Sequence, residues 1–93
     1  MTSTIVKKKM SILKKKIAES ARKNQEPEFL FSEFAVLATS EQLFQLALQY
    51  AKRFPDMAVN YICRSASPNA LAWLKKRSND FKVKEAMKDW MIL

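Results

Sequence analysis

Glycine is absent from the 93 residues, although average usage of about 7% would place roughly six in a chain this long. Backbone positions that need φ > 0 must then be few or fall to Asn, and a glycine-rich phosphate cradle is excluded. Tight β-hairpins of the Asn-Gly type are excluded with it. Histidine is absent too, which removes the commonest general base and metal ligand. A reactive site would have to be assembled from carboxylates, lysines and one thiol, and no such constellation stands out. The expectation is a protein that is not an enzyme, with no catalytic residue, metal or cofactor.

The one cysteine, Cys63, cannot close an internal disulfide, which accords with a reducing compartment. It follows Ile62 and precedes Arg64, with no second thiol or imidazole to serve as resolver or base, so it reads as a packed, inert side chain. Long apolar runs are also missing. The densest, residues 29–38, falls well short of the roughly 18 needed to cross a bilayer. The lysines near the N-terminus are not followed by the apolar core of a signal peptide. A soluble, cytoplasmic protein is expected.

Acid is scarce relative to base: 17 Lys and Arg face 9 Asp and Glu, a net charge of +8. Apolar residues nonetheless make up 48% of the chain, enough for a modest core and against global disorder. The periodicities predict an all-α fold, a compact array of five to six short helices with an N-terminal Lys-rich amphipathic helix. Residues 1–25 form that basic helix, loosely attached, and residues 26–93 a single helical domain.

In the first helix, with Ser3 or Thr4 as cap, Val6, Met10, Leu13, Ile17 and Ala21 recur at spacings that make one narrow stripe. In heptad terms Val6 and Leu13 are d, Met10 and Ile17 are a, and the flanks are Lys7, Lys14, Lys9, Lys16 and Lys23. Such flanks repel in a parallel homodimer through residues 6–21. After Pro27, residues 29–38 are apolar nearly all round and are expected to be a helix buried on most sides, with a buried strand as the competing assignment.

Residues 39–56 are expected to form the helix around which the rest packs. Thr39 and Gln42 make a capping-box pattern, and an arc of about 200° is apolar where an ordinary surface helix needs about half that. Leu46, Ala47, Tyr50 and Phe54 are expected among its most buried residues. Three short helices follow, capped by Asp56, by Ser67 before Pro68, and by Asn79 or Asp80. In the last, Phe81, Lys84, Met87 and Met91 share one side and Val83, Ala86 and Trp90 another. A DNA-reading helix-turn-helix over residues 58–77 is disfavoured, because Tyr61 and Arg64 stand where the motif packs small and apolar residues and Ser65 replaces the turn glycine.

Residues 1–28 hold eight of the basic residues against three acids. Lys7, Lys8, Lys9, Lys14, Lys15, Lys16, Arg22 and Lys23 are the candidate partner-binding residues. The leading expectation is a small non-enzymatic interaction module (an adaptor, chaperone-like escort or inhibitor) that binds an acidic or amphipathic protein segment. Nucleic acid, met by this helix and the basic segment 75–84, is the alternative. It is weakened because Arg22 is the sole guanidinium in residues 1–28 and no aromatic lies there to stack on bases. A membrane partner is disfavoured, since the apolar stripe is narrow and lacks Trp or Phe.

Overall fold

The structure, a computed structural model, describes residues 4–89. Among the described residues it contains six helices and no strand: α1 Thr4–Arg22, α2 Glu28–Leu37, α3 Ser40–Gln49, α4 Pro55–Ser65, α5 Pro68–Lys76 and α6 Phe81–Asp89. The all-α array of short helices expected from the sequence is what forms. Its contacts fall into two units, residues 1–38 and 39–93. Helix α1 shares its unit with α2, so the step in charge near residue 25 lies inside the first unit.

In that unit, four of the five residues of the stripe that the spacing marked, Met10, Leu13, Ile17 and Ala21 of α1, are buried, and Val6 is half-buried. Ser3 lies outside the described residues. The helix ends in a Schellman arrangement in which Asn24 supplies the left-handed residue at φ 57°. Its N–H donates to the Ala21 carbonyl and that of Gln25 to the Ser20 carbonyl, each at 3.0 Å, so two of the last-turn carbonyls are satisfied without glycine. The short connection at residues 23–27 then folds α2 back along α1 as an αα-hairpin.

Residues 28–37 are helix, and the strand alternative falls away. The expectation that this stretch is buried on most sides does not hold. Phe31 and Phe34 are fully buried, but Phe29 is 86% and Val36 77% exposed. Packed on one partner helix within its unit, α2 covers one face there, and an all-round apolar helix then has more apolar side chains than that face can hide.

In the second unit, the Thr39 capping box forms as expected: the Thr39 N–H donates to Gln42 Oε1 at 2.8 Å, and the Gln42 N–H to Thr39 Oγ1 at 3.2 Å. The helix it starts is shorter than expected and stops at Gln49. Tyr50 and Ala51 donate to the carbonyls three residues back, of Ala47 and Leu48, which tightens the chain out of α geometry. Phe54 adopts φ −131°, ψ 67° ahead of Pro55, because proline disfavours the α region for the residue before it. Pro55, not Asp56, therefore opens α4. Leu46 and Ala47 are buried as expected, whereas Tyr50 and Phe54 are only half-buried.

The central element of this unit is α4, which packs against α3, α5 and α6, while α3 packs against α4 and α5. Met57, Ala58, Val59, Tyr61, Ile62, Cys63 and Ser65 of α4 are all buried. Its C-cap, Ala66, sits at φ 49°, a conformation that costs an L-residue with a Cβ about 1–2 kcal/mol. Three residues, on either side of it, hold it there. Ser65 Oγ donates to the Ile62 carbonyl at 2.7 Å, Ser67 Oγ accepts from the Ala70 N–H at 3.1 Å, and Pro68 starts α5. Asp80 caps α6, its Oδ1 accepting from the Lys82 and Val83 N–H groups at 2.9 and 3.3 Å. Val83 and Ala86 are the buried residues of α6, Phe81 is exposed, and Trp90 and Met91 lie outside the described residues.

Glu41 links α3 to α5 by accepting from Gln45 Nε2 and Asn69 Nδ2, both at 2.9 Å. These two bonds, that from Gln45 first, hold its carboxyl below the usual value of 4.5, so the link is intact above that pH and is lost as pH falls through the lowered value.

Burial pushes the Cys63 thiol up to about 11, since the thiolate would lose its water. It should react slowly with a thiol reagent at pH 8 in the folded protein and fast in denaturant. Native labelling as rapid as that of the unfolded chain would show the thiol to be accessible and activated.

Candidate functional site

Helix α1 presents three sets of basic residues around its buried stripe. At 100° per residue, Lys9 and Lys16 lie on one flank, Lys7 and Lys14 on the other, and Lys8, Lys15 and Arg22 on the back. Lys23 follows the helix in the turn. All eight are exposed, and none makes a salt bridge among the described residues. They are therefore not one surface. Lys14 places its ammonium 5.9 Å from the centroid of the Phe34 ring, a cation–π contact inside the hairpin. Lys9 and Lys16 border a concavity.

That concavity is a groove of about 460 Å³ between α1 and α2, lined by Lys9, Ile12, Leu13, Lys16, Glu33, Val36 and Leu37. Leu13 belongs to the hairpin core, while Ile12 is 52% exposed. Ile12 lies outside the buried stripe, on the same side of α1 as Lys9 and Lys16. Ile5, one heptad earlier and also exposed, continues the line. On α2 the exposed Phe29, Glu33 and Val36 form an i, i+4, i+7 row. Ile12 and Val36 thus border the groove from its two sides, with Lys9 and Lys16 on the α1 side and the Glu33 carboxylate on the α2 side. Among the described residues, Lys9, Lys16 and Glu33 engage in no ion pair.

The sequence marks Lys9 and Lys16 as partner-binding residues but not Ile12, Glu33 or Val36. A signal was present. Residues 29–38 carry more apolar side chains than a two-helix hairpin can bury, and Ile5 and Ile12 repeat at seven residues off the main stripe.

The basic segment 75–84 is arranged differently. The Arg77 guanidinium stacks on Trp73 at 4.1 Å from the ring centroid and donates to the Trp73 carbonyl at 3.3 Å. Lys82 pairs with Asp56 at 3.3 Å. Two of its cations and one face of the neighbouring Trp73 are thus engaged within the protein.

Fold and groove together define the class: an all-α protein of short helices whose first two form a hairpin with an open, amphipathic groove. No protein-family model, curated protein or solved structure matches the chain.

Proposed function

We propose that this protein is a non-enzymatic interaction module that takes an amphipathic helix of a protein partner into the α1–α2 groove. The observation that carries the reading is the exposed apolar pair Ile12 and Val36 beside the unpaired lysines Lys9 and Lys16. Apolar ridges with a charged lip suit helix-in-groove binding, in which residues at i, i+3, i+4 and i+7 fill the groove and edge charges select the partner. The groove's lining runs from Lys9 to Lys16 along α1, about 12 Å, so it accommodates about two turns of helix. Lysines on the lip favour acidic residues on the partner, and the net charge of +8 opposes a second copy of this chain as occupant. The thiol raised by burial supports the non-enzymatic part of the reading.

The probe is a helical peptide of about 14 residues with leucines at i, i+3, i+4 and i+7 and a glutamate edge, titrated into the full chain by NMR. Shifts are expected at Ile12, Leu13, Val36 and Leu37, with binding weakening as salt rises. Ile12→Ser and Val36→Ser, both at exposed positions, should weaken binding at least tenfold without unfolding the protein. Binding indifferent to both substitutions overturns the reading. So does tight binding of duplex DNA through Lys8, Lys15 and Arg22, or a concentration-dependent dimer that closes the groove.

A further inference from the structure

The two lips of the groove carry opposite charge. On α1 stand Lys9 and Lys16, one heptad apart, and on α2 stands Glu33, between Phe29 and Val36 in the exposed row. All three are exposed and without an ion pair among the described residues. An amphipathic helix laid apolar side down has two polar edges, one along each lip. Turning it end for end exchanges those edges. A groove with like-charged lips would accept both directions, whereas lips of opposite sign favour one.

Resting on the groove reading above, we infer that the bound helix carries acidic residues a heptad apart on the edge along α1 and a Lys or Arg on the edge along α2, and that this asymmetry fixes its direction. The physical basis is matched charge at both lips in one direction and like-charge juxtaposition at both in the other. Each exposed pair contributes little alone. Reversal, however, exchanges attraction for repulsion at Lys9, Lys16 and Glu33 together. The partner is thereby narrower in kind than a generally acidic segment. A helix acidic on both edges meets Glu33 with its own carboxylates.

Three peptides sharing one leucine face test this on the full chain: acid on one edge and lysine on the other, the same with the edges exchanged, and acid on both. Each carries a nitroxide at its N-terminus. The mixed-edge peptides should bind about two- to fivefold tighter than the doubly acidic one, the size expected of one or two exposed pairs. Their spin labels should broaden opposite ends of the groove, one near Lys9 and Leu37 and the other near Lys16. Glu33→Lys, an exposed change, should reverse the affinity order. Equal or tighter binding of the doubly acidic peptide, or the same end broadened by both mixed-edge peptides, overturns the inference and leaves the groove reading standing. If no peptide binds, the groove reading fails and the inference with it.

Discussion

Phe34→Ala is expected to cost about 3–5 kcal/mol, the range for truncating a fully buried phenylalanine. The ring has no exposed surface, and it carries the Lys14 ammonium 5.9 Å above its centroid. Its removal leaves a cavity in a unit of two helices, the shorter of only ten residues. A helix of that length is marginal in water by itself, so α2 depends on burying Phe31 and Phe34. The control is Phe29→Ala in the same helix. Phe29 is almost wholly exposed, and its loss should change stability by no more than about 0.5 kcal/mol. Urea unfolding followed by circular dichroism reads both. If the two variants unfold at the same urea concentration, the hairpin core does not lie on the Phe31–Phe34 side of α2.

Ile62→Ala should cost about 2–5 kcal/mol and at least as much as Leu46→Ala, which falls in the same range. Ile62 is fully buried on α4, the helix that packs against three others. A cavity with walls on several sides relaxes poorly, which raises its cost within the range. Leu46, nearly as buried, belongs to α3, which packs against two helices of its unit. Phe54→Ala, at a half-buried residue in the α3–α4 turn, should cost less than either. If Leu46→Ala proves clearly the more damaging, α3 and not α4 is the centre of residues 39–93.

By itself the sequence determined the all-α class and several helix ends, while residues 29–38 still admitted a strand. The signals at those ends are local. The Thr39–Gln42 box, Ser67 before Pro68, and Asp80 each satisfy orphan N–H groups within a single turn, and Asn24 ends α1 with the left-handed residue that a glycine-free chain requires. The buried stripe of α1 was legible for a similar reason. Five apolar residues at helical spacing, flanked by lysines, mark one face, and four of the five are buried.

Tertiary structure decided which apolar residues are covered wherever the pattern has no polar face to orient it. In α2 seven of ten residues are apolar, so apolar character alone does not separate the buried Phe31 and Phe34 from the exposed Phe29 and Val36, which share their side of the helix with Glu33. Residues 39–56 posed the same difficulty. Their wide apolar arc fits one long helix as well as the observed short one followed by a turn, and α4 gained the central place through its three packed neighbours. The groove depends on both levels. Lys9 and Lys16 are placed by helical periodicity alone, but Glu33 and Val36 meet them across it because the turn at residues 23–27 folds α2 back on α1. A contact between two helices depends on how they are laid together, which neither helix encodes separately.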